Sequence, residues 1–518
     1  MRAPSSRRLL AGLVAVFALL VTACGGGGGA GSGAAATPDP NAILRYAFVQ
    51  NVSSFDPHRS SNAWDMVNLR LVYDQLLQED QNGEIVPMLA TGYEFLDGGT
   101  VLQLTLRDDV TFHDGTRFDS AAVKANLERA KTLETSAVKG ALRAIASIDT
   151  PDPTTVRLNL SSPGGNLPAL FTERHGSMIS PAAFDNPDLD QKPVGSGMFT
   201  MTEYVPGQVT RYAKAPNYWD PDAVKVAGVE VYVQTSSPTR LNMLTTGQVD
   251  MTYLDPSTQD QAVAAGLHVE PSQSTTIFRM TVNTAKAPFD KLEVRQAMEH
   301  AIDRRAIVDG VLFGIGAPTS QLIPPGHWAY DDKVAWDGPD YGYDPEKAKQ
   351  LLARAGYPAG TEFEMLIPAL DDHRAVSEAV IPMLEAVGLR AKTRVIEPAT
   401  TPATFFGRQE GNAYIGASAP FVDPSTQYES NLTGQFTNPW NTTSPEFTQA
   451  WNDSLVGATR DERLPAVHRM IEDEKDLRRQ FGIYAAQPPS VWTDKVIFPP
   501  GYRPAYAPVF RGVAVAAD

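Results

Sequence analysis

Glu362-Phe363-Glu364-Met365-Leu366-Ile367, a periodic segment over 374–387, and then Leu389-Arg390-Ala391-Lys392-Thr393-Arg394-Val395-Ile396 form the stretch that decides the fold. The two outer segments are short and rich in apolar and β-branched residues, as strands are. The middle one repeats its apolar residues at helical spacing. Strand, helix and strand in that order make a βαβ unit, which implies a mixed or parallel sheet covered by helices. The segment just upstream follows the same helix rules. Asp344 stands at an N-cap with Pro345 at the first helical position, where a missing N–H costs nothing. Ala348, Leu351, Leu352 and Ala355 form its buried stripe, Gly356 supplies a left-handed stop and Pro358 prevents resumption. Earlier, Asp290 is placed to cap a helix with Glu293 at the capping-box position. Val294, Ala297, Met298, Ala301 and Ile302 then mark its apolar face. In the first half, 44–49, 101–106 and 226–233 read as strands, and 120–131 as a helix carrying Ala122, Val123, Leu127 and Ala130 on one side. No repeat period is visible.

The start of the chain is an address. Arg2, Arg7 and Arg8 precede an apolar run over 9–21, which leads into Val21-Thr22-Ala23-Cys24. That is the layout of a secretory signal, and the run of about 13 residues falls short of the ~20 that cross a bilayer. Cys24, the only cysteine in the chain, sits at the cleavage point. The pattern resembles the lipobox of bacterial lipoproteins; the alternative is an ordinary signal peptide with an incidental cysteine. Arg7-Arg8 hints at twin-arginine export, but the residues after it fit poorly and Sec is the default. Residues 1–23 are thus expected to be a signal peptide, and 24–40 a lipidated cysteine with a Gly-rich tether of roughly 20–24 Å root-mean-square reach. Two acyl chains suffice for stable anchoring, so the expected location is extracytoplasmic, at the outer face of the cell membrane. A mature chain of about 495 residues allows two to three domains. It would hold neither disulfide nor thiol nucleophile. A formal charge of −16 argues against nucleic acid or anionic headgroups as partners.

Catalytic constellations are near misses. Gly416-Ala417-Ser418-Ala419-Pro420 resembles a nucleophile elbow but ends in Pro where the turn needs Gly. The eight histidines show no zinc spacing, and Asp371-Asp372-His373 reads as a solvated loop before a helix rather than a metal site. No glycine-rich phosphate loop follows a strand. The expectation is no enzyme, no cofactor and no metal.

A series of unusual strings runs through the body in fixed order. They are Ser54-Phe55-Asp56-Pro57-His58; Ile85-Val86-Pro87-Met88-Leu89-Ala90; and Leu106-Arg107-Asp108-Asp109-Val110-Thr111-Phe112-His113-Asp114-Gly115-Thr116. After these come Pro193-Val194-Gly195-Ser196-Gly197-Met198-Phe199, Asn217-Tyr218-Trp219 and Gly247-Gln248-Val249-Asp250. The second half adds Pro288-Phe289-Asp290, Val294-Arg295-Gln296-Ala297, Ala301-Ile302-Asp303-Arg304 and Tyr343-Asp344-Pro345-Glu346-Lys347-Ala348. Together they resemble the bacterial extracellular solute-binding protein family 5, the peptide, nickel and opine receptors of ABC importers. Most of the strings read as scaffold; His113, for example, belongs to a turn.

The resemblance implies an α/β, two-lobed periplasmic-binding-protein-like fold, type II-like with an extra subdomain, mixed sheets covered by helices and a hinge between lobes. Lobe I would comprise 41–57, 193–276 and 485–518, its inserted subdomain 58–192, and lobe II 277–484. The implied function is capture of a small solute between the lobes and delivery to ABC permease subunits with their cytoplasmic ATPase. Oligopeptides lead; a glycoside, opine or metal chelate, a sensing role, or a surface hydrolase are the alternatives. A monomer is expected.

By the same resemblance, one cleft segment runs from Ser60 through Ser61, Asn62 and Ala63 to Trp64. A second covers 414–421, with Tyr414, Gly416, Ala417, Ser418 and Phe421 as candidates. Arg408, Trp440 and Tyr484 complete the ligand-binding set, and core packing competes for every aromatic among them. Peptide-binding relatives carry an aspartate three residues before an Asp-Pro pair, to hold a ligand ammonium, and a tryptophan nearby. Here Pro420 and Ala417 occupy those places. A buried ammonium without a carboxylate is costly, so either Asp423 or another acid substitutes, or the ligand is no ordinary free-amine peptide. Small Gly416, Ala417 and Ser418 would also leave room for something bulkier.

Overall fold

A computed structural model of the protein describes residues 37–357, 359–505 and 507–517. The expected signal peptide, Cys24, most of the expected tether and Pro358 lie outside the described residues.

Three sheets organise the body. The first has seven strands in the order His268–Pro271, Pro489–Trp492, Met251–Tyr253, Ile43–Phe48, Gly228–Val233, Val209–Lys214 and Phe199–Val205. Ile43–Phe48 runs parallel to both of its neighbours and the remaining pairs are antiparallel, so the sheet is mixed. Leu44, Tyr46 and Phe48 enter its core, where Phe55, Val229, Val231 and Trp492 join them. The second sheet has six strands in the order Ala317–Pro318, Gln480–Ala485, Ile277–Val282, Ala413–Ala417, Thr361–Pro368 and Leu389–Ile396. The expected βαβ unit lies at its edge: Thr361–Pro368 and Leu389–Ile396 pair in parallel, and the Asp371–Val387 helix joins them. A four-stranded antiparallel sheet of Ala90–Leu96, Val101–Leu106, Thr155–Leu160 and Ile145–Asp152 packs on the Ser120–Thr132 helix through Ala122, Val123, Leu127 and Ala130.

Local signals held where the chemistry was complete. Asp344 caps the Pro345–Arg354 helix by accepting from the Lys347 amide at 2.9 Å. Gly356 adopts φ +83°, the left-handed stop. Two expectations require correction. Asp290 does not cap: the chain turns at 286–290, the Asp290 amide bonding the Lys286 carbonyl at 3.1 Å, and the helix starts at Leu292 with Lys291 at its N-cap. Asp371, Asp372 and His373 are no loop but the first turn of the Asp371–Val387 helix, where acidic side chains favour the positive end of the helix dipole.

The chain passes between the two large sheets twice, over 272–276 and 486–488. The two passages run side by side: the Ser272 amide donates to the Pro488 carbonyl at 3.0 Å and the Ala486 amide to the Thr276 carbonyl at 2.9 Å. Two adjacent strands of backbone crossing side by side make a natural bending line.

Candidate functional site

The first candidate segment is held from beneath. Asp65 accepts from the Ser53 amide at 3.0 Å and from Ser60 Oγ at 2.7 Å, and Arg174 donates to the Ser60 carbonyl. Asn62 accepts from the Trp64 amide at 3.0 Å, starting the short turn Ala63–Asp65. Ser61 is exposed, Ala63 is half-buried, and Trp64 is half-buried against the core of the first sheet. Below lies buried Asp56, paired with a partly buried Arg129 that also meets His58 Nδ1 at 2.8 Å. Burial drives the His58 pKa down to about 4, so this histidine is neutral and serves as a strut.

The second segment is stitched to the hinge. The Ile277 amide donates to Ser418 Oγ at 2.9 Å, and the Ser418 amide returns a bond to the Ile277 carbonyl at 2.8 Å. Three residues on, the Phe421 amide donates to Thr275 Oγ1 and that hydroxyl donates to the Phe421 carbonyl, both at 2.9 Å. Ser418 is thus committed to backbone pairing, which also disposes of the elbow-like string around it. Tyr414 belongs to an aromatic cluster with Phe405, Phe406 and Trp440; its ring lies 4.7 Å from Phe405, and Trp440 lies 5.3 Å from Phe405. Phe405 and Phe406 ride on a π-helical turn, Ala403–Gly407, a distortion often found at functional sites. The cluster brings together two predicted residues and two that the sequence reading missed. The Phe-Phe-Gly run was the available signal.

The other predicted residues are placed differently. Tyr484 is 2 % exposed and stacks on Phe278 at 4.7 Å within the helical core of the second sheet. Arg408 is exposed and bonded to Glu410 at 2.6 Å and Thr404 at 2.7 Å. Ala417 is exposed at the end of its strand. Gly416 does not leave room for a bulky ligand: a Cβ there would stand 2.6 Å from Tyr414 Cε2, so the tyrosine ring already fills the space. Asp423 does not replace the missing ammonium partner either. Its two oxygens are bound by Arg463 Nη1 and Nη2 at 2.7 and 2.8 Å, and Ser425 Oγ adds a third bond at 2.6 Å.

Arg463 extends that pair across to the four-stranded unit, donating to the Gly165 carbonyl at 2.9 Å while the Gly165 amide bonds the Leu455 carbonyl at 2.8 Å. The approach demands glycine, since a Cβ on Gly165 would meet the Gly457 and Leu455 carbonyls at 2.6 and 2.7 Å. Arg460 bonds Glu84 at 2.7 Å and Arg143 bonds Glu429 at 2.8 Å across the same junction. Beside these contacts opens a cavity of about 450 Å3, lined among others by Glu84, Tyr93, Pro168, Trp328, Val422 and Arg460. That size suits a small organic ligand. Among the described residues, no group of three or more metal-ligating side chains comes together, and no helix is long and apolar enough to cross a membrane.

Two large sheets joined by paired crossings, with the four-stranded unit meeting the second across a polar junction, make up this architecture. The chain belongs to the bacterial extracellular solute-binding proteins, family 5, whose middle-region model matches residues 84–439. Members of this family are extracytoplasmic solute-binding proteins of ABC importers. Among curated relatives, the glutathione-binding protein GsiB of Salmonella paratyphi A is 28% identical over 382 residues, covering 71% of this chain and 73% of its own length. Among solved structures, the ABC transporter substrate binding protein CtaP of Listeria monocytogenes superposes with a TM-score of 0.82 at 17% identity, covering 92% of this chain and 100% of that one. The periplasmic binding protein DppA of Helicobacter pylori, in complex with peptide STSA, gives 0.79 at 22% identity, with 92% and 98% covered.

Proposed function

We propose that this chain is the lipid-anchored receptor of an ABC importer, and that it closes its two lobes around a small, peptide-like solute and presents it to a membrane permease. The observation that carries the reading is the wiring of the second cleft segment to the hinge: Ser418 and Thr275 tie 418–421 to the first crossing, so ligand contact there and lobe rotation are mechanically one event. The cleft comprises the 60–64 segment, the Tyr414–Trp440 aromatic cluster and the junction beside Arg463. A ligand without a free amine is favoured over an ordinary peptide, because Asp423 is spent on Arg463. Native mass spectrometry of the full chain extracted from membranes tests this. A co-purifying solute that is released unchanged on unfolding supports the receptor reading, whereas a mixture of substrate and product supports a hydrolase. For the anchor, Cys24→Ala moves the protein from the membrane to the soluble fraction on cell fractionation; continued membrane retention contradicts lipidation at that residue.

A further inference from the structure

Each large sheet carries helices on one face and candidate cleft residues on the other. In the first sheet, Tyr46 and Phe48 belong to the core against which Trp64 packs. Ala47 alternates with them and meets Leu241, Leu244 and Ala262 of the helices Ser237–Thr245 and Gln259–Ala264. In the second sheet, Ala413 and Ile415 enter the core with Ile307 and Val308 of the Arg304–Val311 helix. Tyr414 alternates with them and joins the aromatic cluster. The helices therefore lie behind both sheets, on the faces away from Trp64 and Tyr414. Bending about the two crossings opens the cleft in front and narrows the space behind.

Two exposed apolar side chains border that rear space. The Gln259 side chain, in the first turn of its helix, donates to the Phe313 carbonyl at 3.3 Å, joining the two lobes there. Val263 stands four residues after Gln259, on the same face of the helix, and is 60 % exposed. Phe313, just beyond the Arg304–Val311 helix, is 52 % exposed. Its φ is +54°, a left-handed backbone that is a genuine outlier for a bulky residue. The turn holds it in place: the Gly314 amide donates to the Val308 carbonyl at 3.0 Å and the Ile315 amide to the Leu312 carbonyl at 2.8 Å. A strained backbone thus keeps an aromatic ring in solvent beside an exposed valine of the other lobe. Strain of this kind collects at switch regions. The charges of Asp371 and Asp372 reach Asp255 along the same seam. These like charges resist narrowing, and the apolar pair favours it. In front, the lobes are in contact, with the Gly165 amide on the Leu455 carbonyl at 2.8 Å.

We propose that Val263 and Phe313 form an opening contact: they meet behind the hinge when the cleft opens, bury part of each other's apolar surface and hold the unliganded receptor open. Ligand in the cleft then has to part them, so the contact sets how much of the binding free energy goes into closure. The inference rests on the receptor reading for its role and on the paired crossings for its geometry. It does not depend on which solute is bound.

Hydrogen exchange tests it, on the full chain extracted in detergent and dialysed free of solute. The bond from the Gly165 amide to the Leu455 carbonyl spans the closed junction, so protection at Gly165 reads the closed population. The Thr361–Pro368 strand, inside the second sheet, is the reference. Phe313→Asn removes the ring and keeps a residue that tolerates left-handed backbone. Val263→Trp fills the rear space so that it cannot narrow. Relative to the reference strand, protection at Gly165 rises at least about threefold in both variants, as expected when an apolar contact no longer favours the open state. Adding Val263→Ala to Phe313→Asn changes nothing further, because the partner is already gone. The proposal is overturned if protection fails to rise in one or both single variants, or if Val263→Ala adds a further gain. None of these results touches the receptor reading, which fails separately if deleting the gene leaves solute uptake intact.

Discussion

Asp423 and Arg463 lie 40 positions apart in the chain and meet as a bidentate pair with side chains only 2 % and 5 % exposed. Burial alone would raise the aspartate's pKa, but the Arg463 charge and the Ser425 bonds outweigh it and hold the carboxyl below its usual 3.8. The sign follows. A depressed folded pKa contributes stability that is present above the unfolded value and is lost as pH falls through the folded one. Arg463→Met leaves a buried carboxylate unpaired and should cost about 3–5 kcal/mol, measured by denaturant unfolding at pH 7. It should also flatten the loss of stability below pH ~4 that this pair contributes in the wild type. A loss under 1 kcal/mol would mean that water reaches the pair. The sequence marked the Asp-Pro position and left Asp423 as one of the acids that could hold a ligand ammonium. Nothing in the chain near 423 advertises a partner in a helix 40 residues on, so the role of Asp423 was not readable there. The Gly416 reading went astray for a related reason. A small residue was taken as free space, but whether space stays free depends on where the neighbouring Tyr414 ring lies.

At the scale of elements, legibility followed locality. The βαβ edge of the second sheet, the Asp344 cap and the Gly356 stop were all visible, because each is decided within a few residues by spacing and φ preference. Asp290 had the right neighbours for a cap, but the turn at 286–290 delays the helix by one residue. The hinge stitches were invisible, since they join Thr275 to Phe421 across 146 positions. They carry a prediction. Thr275→Val removes both a donor and an acceptor from Phe421 and should destabilise by about 1–3 kcal/mol. Hydrogen exchange at the amides of Ile277 and Phe421 should accelerate, with the Asp371–Val387 helix unchanged. Uniform acceleration over the whole second sheet would show instead that the crossing and the sheet unfold as one unit.

For the whole molecule, the contacts between the four-stranded unit and the second sheet's surroundings are mostly ionic or backbone. Arg460–Glu84 and Arg143–Glu429 are partly exposed pairs, worth little to stability, about 0–1 kcal/mol each. That suits an interface that has to part when ligand leaves. Glu84→Gln should therefore leave the unfolding free energy nearly unchanged while raising the radius of gyration of the unliganded chain in small-angle scattering, and added salt should do the same to wild type. Constancy of the radius under both changes would indicate that this junction is permanently closed. The family strings made the architecture legible from end to end because they are scaffold, and scaffold recurs with the fold. The cleft was only half legible because its chemistry sits on side chains gathered from distant strands.

The most direct measurement is uptake of the solute identified by mass spectrometry, in cells lacking the gene and in cells complemented with the full chain. The receptor account predicts that uptake falls at least about tenfold without the protein, as for loss of a binding step worth 1.4 kcal/mol or more, and returns with it. Unchanged uptake in the deletion strain, with binding intact in the purified protein, would contradict transport and leave a sensor in its place.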